Sequence, residues 1–232
     1  MGQINRGTIF LRKRNREITF DPIQRIIFKE FAKTKFLSKR FYFTGGTALS
    51  AIYLHHRESE DLDFFSENDF DNDLIIEFIK HVSVILKLDY KVTLRERVRI
   101  FEFLKRGKFI IKVDFGFYPH KRINKGKKLE GVDVDSLADI GANKITTILQ
   151  RNAVKDFVDL YFLLQKYTIW DLLHFAQRKF GMEIDLVWLA SGFLKAKQFE
   201  NLPKMLVPLD LSKLKEFYKD LAKKLGSSVV KK

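Results

Sequence analysis

In the stretch FYFTGGTALSAIYLHHRESEDLDFF, residues 41–65, two carboxylates flank a leucine inside an apolar run. If Asp61 to Phe65 forms a strand, residues two apart share a face at a spacing of roughly 7 Å. Asp61 and Asp63 then project together, while Leu62 and Phe64 enter a core. Two like charges this close are unfavourable unless something neutralises them. A divalent cation does so: Mg²⁺ (or Mn²⁺) prefers carboxylate oxygens and is commonly shared with substrate phosphates. Taken alone, the pair also fits a solvated strand end.

Gly45-Gly46 lies between the apolar FYF and a helix-like run from Thr47 to Leu54. A strand, a glycine turn and a helix leave backbone N–H groups at a helix start, a geometry suited to phosphate. A third acid, Asp114, closes the strand-like segment IIKVDF. Beside the Asp61 strand it would complete a set of three carboxylates. Such a set holds two metals about 3.5–4 Å apart and supports in-line displacement at phosphorus.

The order Gly45-Gly46 … Asp61-Leu62-Asp63 resembles the Gly-Gly/Ser … Asp-x-Asp pattern of polymerase-β-like nucleotidyltransferases. The fuller stretch GGTALSAIYLHHRESEDLDFF is similar to the AbiEii/AbiGii toxin family, whose members read Gly-Gly-Thr-Ala-Leu, then His-Arg, then Asp-Leu-Asp-Phe-Phe. A downstream family motif of a lysine, an arginine and Lys-Asp-x-x-Asp is matched by Lys144, Arg151 and KDFVD, with Lys155, Asp156 and Asp159. The resemblance fades after this motif. It implies nucleotidyl transfer from an NTP with Mg²⁺, to RNA such as tRNA or to a protein, and a cognate antitoxin as partner. By the same resemblance Asp61, Asp63 and Asp114 are metal ligands, and Asp114 doubles as a general base. Gly45, Gly46, Thr47 and Arg57 hold phosphates, Lys144 contacts the triphosphate, and Asp156 shapes the nucleotide pocket.

The residues themselves say less about the downstream motif. On one helix, Lys144, Arg151 and Lys155 fall on a single face, a basic stripe able to bind triphosphate or simply to face water. A helix start near Asn152 would break that stripe. Asp156 and Asp159 would then serve a first helical turn.

The surrounding elements read as α+β. Asp21-Pro22 marks the start of a helix running to about Leu37. Strand candidates are Thr8–Leu11, Phe41–Phe43, Asp61–Phe65, Tyr90–Leu94, Arg99–Leu104 and Phe109–Phe115. A helix over Asp71–Leu86 carries an apolar stripe, and Arg106-Gly107-Lys108 reads as a hairpin turn. The basic segment 121–128 marks a junction. Beyond Asp135 only helices are expected: 137–150, 153–166, 169–179, 186–196 and 211–225, then a frayed tail from Gly226. The expected architecture is a small mixed β-sheet nucleotidyltransferase core with flanking helices over 1–130, followed by a C-terminal helical bundle over 131–232.

Composition bounds the alternatives. The 232 residues include 23 Phe and are 46% hydrophobic, ample for a core. The absence of cysteine excludes disulfides, thiolate metal sites and a catalytic thiol. With no apolar leader and no run of about 18 apolar residues, a cytoplasmic protein without membrane contact is expected. Arg6, where myristoylation wants Ser or Thr, argues against that anchor. A net charge of +14 suits either a solubilising surface or a polyanion such as nucleic acid. The loop 121–128 and Lys213, Lys215, Lys219, Lys223 and Lys224 are candidates for RNA phosphate contacts. His55-His56 reads as a hydrophilic helix end, and no serine shows a base partner. A catalytically inactive RNA- or protein-binding module on the same fold is the alternative function, and would be expected to lose one of the motif residues.

Overall fold

The computed structural model describes residues 19–230; the strand expected at 8–11 lies outside them. Helix α1, Pro22–Lys33, opens with a capping box: the Asp21 carboxylate accepts from the backbone of Ile23 and Gln24, and Gln24 reaches back to Asp21 N–H. It stops earlier than its apolar pattern suggests. The Thr34 hydroxyl donates to Glu30 O at 3.0 Å, and a short helix α2, Lys35–Arg40, follows.

Strand β1, Tyr42–Thr44, leads into α3, Gly45–Ala48, which continues as a wider π-helical turn over Leu49–Leu54. That turn ends at His55, in the left-handed region with φ 51°. Next come β2, Leu62–Ser66, and α4, Asn72–Leu86, capped by Asp71. Strands β3, Asp89–Leu94, β4, Val98–Lys105, and β5, Lys108–Phe117, complete a sheet. Arg106 and Gly107 join β4 to β5 with φ of 51° and 77°, the two positive values of a tight hairpin turn.

The five strands run β1-β2-β5-β4-β3. Only β2 and β5 are parallel, with Leu62 opposite Val113 and Asp63 opposite Asp114. Alternation divides the two faces. Leu62, Phe64, Val113 and Phe115 are wholly buried against α1 and α4. Phe64 stacks on Phe31 with ring centres 3.9 Å apart, and Phe115 meets Phe78 edge-on. A one-residue slip would send these rings to the opposite face, so the core fixes the register. It thereby fixes where Asp63 and Asp114 point.

A small hairpin, β6, Lys128–Leu129, and β7, Val132–Asp133, follows the basic junction 121–128. It returns the chain to β1, where Asp135 N–H donates to Phe43 O at 2.8 Å. The rest is helical: α5, Leu137–Gln150; α6, Val154–Leu163; α7, Ile169–Phe180; α8, Leu186–Leu194, with a 3₁₀ turn over Lys195–Gln198; and α9, Leu211–Val230. Helix α9 runs through Gly226, where a frayed tail was expected. Its Tyr218 is fully buried with Phe157 and Phe193 in a second core. The two cores divide within α5: Ile140 belongs to the first and Ile145 to the second. The 204–207 segment returns to the first half, pairing Lys204 O with Glu58 N–H and Leu206 N–H with His56 O. Among the described residues no helix is long and apolar enough to cross a membrane.

Candidate active site

The face of the sheet opposite the phenylalanine core borders a cleft of about 380 Å³ lined by Gly45, Gly46, Asp61, Asp63, Lys112 and Asp114, with Lys144, Arg151 and Lys155 on its helical side. Asp63 comes from β2 and Asp114 from β5, at paired positions. Gly45 meets Asp63 closely. Its φ is +76°, and a Cβ there would run into the carboxylate, with Asp63 Cγ 2.6 Å away. Glycine is needed at Gly45 on both counts.

Burial pushes the Asp63 carboxyl up to about 6; neighbouring Asp114 and nearby Asp61 add to the rise, and Lys112 and Lys144 oppose it. Burial also raises Asp114, against the pull of Lys112. Lys112 Nζ donates to Asp114 Oδ2 at 2.6 Å and stands 3.5 Å from Asp61 Oδ2. The other oxygen, Asp114 Oδ1, is buried without a hydrogen-bond partner. Asp61 Oδ2 also lies 3.7 Å from Lys155 Nζ.

These groups fit a divalent cation in a particular way. Among the described residues no three carboxylate or imidazole side chains converge as a ready-made cage, so the three-acid cluster is assembled only in part. Asp63 and Asp114 sit side by side at paired register positions, while Asp61 lies near Lys112 and Lys155. Magnesium ordinarily takes one or two protein carboxylates and completes its shell with water and substrate phosphates. The side-by-side pair, with one orphaned oxygen, suits that mode.

The downstream motif does something other than line up a basic stripe. Arg151 leaves the helix at the end of α5, with φ −146° and ψ 160°, and α6 restarts at Val154. Lys144, Arg151 and Lys155 therefore do not share one helical face. Lys144 is buried, 2.8 Å from Asp156 Oδ1 and 2.6 Å from Asp159 Oδ2. Burial alone would strip its charge, but Asp159 and Asp156 outweigh burial and raise its pKa. Asp156 and Asp159, expected to serve a first helical turn, are both fully buried. Asp156 also takes two hydrogen bonds from Arg151, at 2.7 and 3.0 Å.

Asp159 is gripped by Arg57 and receives His56 Nε2 at 2.7 Å. His56 is thus a buried anchor and not a hydrophilic helix end; burial lowers its pKa against the pull of Asp159. Thr47 is also redirected. Its hydroxyl is buried and bonds to the Asp61 carbonyl and to Ser59 Oγ, tying down the approach to β2 instead of facing the cleft. The Arg57 guanidinium spends three of its five N–H groups on Asp159 and on Glu58 O, yet Nη2 would lie 2.7 Å from a Cβ on Gly46. It buttresses the second glycine.

Lys112, Tyr118 and Asn143 are among the cleft residues that sequence reading missed. Lys112 was legible in principle, because it lies two residues before Asp114 in an alternating strand. Tyr118 and Asn143 carried no local signal. The Tyr118 hydroxyl donates to Asn143 Oδ1 at 3.3 Å, and its ring lies 5.4 Å from that of Phe65.

The profile of the AbiEii nucleotidyl transferase toxin family, a type IV toxin–antitoxin system, matches residues 26–226. An uncharacterized protein of Aquifex aeolicus is 37% identical over 137 residues, covering 57% of this chain and 61% of that relative. JHP933 of Helicobacter pylori superimposes with a TM-score of 0.54 at 22% identity, over 90% of this chain and 93% of its own. A second H. pylori structure, assigned to the nucleotidyltransferases, does so with a TM-score of 0.58 at 20% identity, over 90% and 94%. At these identities the two structures show a shared fold.

Proposed function

The chain belongs to the AbiEii nucleotidyl transferase toxin family, and on that premise we propose that it transfers a nucleoside monophosphate from an NTP to a hydroxyl group of RNA. The observation that carries this reading is the Asp63–Asp114 pair facing a glycine-lined cleft. Asp63 and Asp114, with Asp61 beside them, would hold Mg²⁺ or Mn²⁺. Such an ion acts as a Lewis acid on the phosphoryl oxygens and lowers the pKa of a bound hydroxyl.

The chain's own groups divide the remaining work. The backbone at Gly45-Gly46 and the half-exposed Lys155 and Arg151 bind the polyphosphate. Phe65 and Tyr118 give the base an aromatic wall, and Asn143 offers an amide edge. The acceptor oxygen forms a bond to the α-phosphorus as the bond to pyrophosphate breaks, and the acceptor proton passes to Asp114. Lys144 and Asp156 act through position, by locking α5 to α6 beneath the cleft.

An RNA acceptor is favoured by charge and continuity. Two further clefts, about 370 and 570 Å³, share Glu67 and Arg122 and are lined by Lys39, Arg40, Lys121, Lys125 and Lys128. They adjoin the catalytic face: Tyr42 lines the first of them and pairs in β1–β2 register with Phe65 of the catalytic cleft. With a chain charge of +14, such a groove would attract phosphates. A cognate antitoxin is proposed on family grounds alone. The test is incubation with each labelled NTP, Mg²⁺ and total RNA. Label should enter RNA with the wild-type protein and not with Asp63→Asn. No labelled product with any of the four NTPs would remove the reading.

A further inference from the structure

We propose that Lys112 is the resident cation of the cleft: it holds the acidic face in place before any metal arrives, and it keeps the affinity for a divalent ion low until a nucleotide is present. The inference rests on the nucleotidyl-transfer reading, but concerns a residue that reading leaves without a role.

Asp61, Asp63 and Asp114 put three like charges on one side of one cleft. Folding brings Asp63 and Asp114 to paired register positions regardless of metal, and repulsion between them must be offset. Lys112 is placed by alternation to do this. Residues 112 and 114 share a face of β5, while Ile111, Val113 and Phe115 between and beside them anchor the strand in the core. The ammonium is 2.6 Å from Asp114 Oδ2 and 3.5 Å from Asp61 Oδ2, so it bridges two of the three acids. Among the described residues it is the only ion-pair partner of Asp114.

Two consequences follow. First, with Oδ2 engaged by Lys112, Asp114 is left with a buried Oδ1 that has no hydrogen-bond partner. The lysine thus orients the carboxylate as well as neutralising it. Second, the acids offer a bare cation three negative charges minus one. A nucleotide bound at the same cleft brings its own negative charge and offsets the lysine. Metal is then taken up together with NTP and poorly by itself.

The test is titration of MnCl₂ alone into the wild-type protein, Lys112→Gln and Lys112→Arg, followed by calorimetry and by thermal unfolding. Lys112→Gln should bind Mn²⁺ about tenfold more tightly than wild type, the Coulomb effect of one unit charge on a divalent ion at roughly 6 Å under water-like screening. Its unfolding temperature without metal should fall, and Mn²⁺ should raise it by more than in wild type. Lys112→Arg should behave as wild type. If Lys112→Gln is unfolded without metal, Mn²⁺ should restore its circular dichroism, and failure to do so overturns the proposal. Equal or weaker Mn²⁺ binding by Lys112→Gln, with metal–NTP binding intact in wild type, overturns the role of Lys112 alone. Absence of metal binding in every variant, even with NTP, overturns nucleotidyl transfer as well.

Discussion

Arg57 and Asp159 meet across 102 residues of chain as a two-pronged ion pair, Nε 2.7 Å from Oδ1 and Nη2 2.8 Å from Oδ2. Both side chains are buried, at 3% and 0% exposure. Such a pair adds little over an apolar replacement, but breaking it strands a charge away from water. Asp159→Asn should therefore destabilise the fold by about 3–5 kcal/mol, because Arg57 and Lys144 both lose their main counter-charge. Urea midpoints at neutral pH measure this; a loss below about 1 kcal/mol would mean that the network relaxes toward solvent.

The same pair shows where reading the sequence stopped. Positions set by local rules were legible: the Asp21-Pro22 start of α1, the strand alternation that turns Asp63 away from the Phe64 core, and the Arg106-Gly107 turn. Asp61, Asp63 and Asp114 could be grouped because period-two alternation and an acid at each strand end are visible in the chain. Asp156 and Asp159 could not be placed. Charges three apart at a helix start look the same whether they meet water or buried cations, and the Arg57 that grips Asp159 lies about a hundred residues upstream. His56 and Thr47 were misread for the same reason. The stop at Thr34 depended on a hydroxyl-to-carbonyl bond that apolar periodicity does not register.

Stability should respond to pH in two opposite ways. Burial, aided by Asp139 and resisted by Lys179, pushes the Asp135 carboxyl up to about 6. An unfolded aspartate titrates near 3.9. Between those values the native state binds more protons than the unfolded chain, so stability falls as pH rises from about 4 to about 6. Asp63, also raised to about 6, adds to the slope, and Asp135→Asn should remove part of it, on the order of 2–3 kcal/mol.

Asp159 contributes in the other sense. Burial opposes its charge, but Lys144 and Arg57 prevail and hold it well below the usual carboxylate range. Its contribution is complete above about pH 4 and shrinks as pH falls further. Urea unfolding of wild type, Asp135→Asn and Asp159→Asn between pH 3 and 7 separates the two effects. A flat wild-type profile across pH 4–6 would contradict the placement of Asp135.

Asp63→Asn separates folding from catalysis. Burial raises the pKa of the carboxyl, and Asp114 and Asp61 beside it add to the rise. Removing one of three like charges should leave the metal-free protein as stable as wild type, or about 1 kcal/mol more stable. Label transfer from NTP to RNA should vanish. A variant that is stable and fully active would show that Asp63 neither holds metal nor serves the reaction.

Gly45→Ala tests how close the turn must come to the carboxylate, and Gly131 supplies its control. Both glycines have positive φ, +76° and +86°. A methyl group on Gly131 would meet nothing within 4 Å, whereas on Gly45 it would displace the Asp63 carboxylate. Gly131→Ala therefore carries only the left-handed backbone strain, about 1 kcal/mol, and should keep its activity. Gly45→Ala carries that strain plus the displacement of Asp63, and should cost about 1–3 kcal/mol of stability and nearly all transfer. Comparing the two by thermal unfolding and by labelled transfer isolates the steric term. If both variants remain equally active, the tight approach of Gly45 to Asp63 is a packing detail and the cleft does not depend on it.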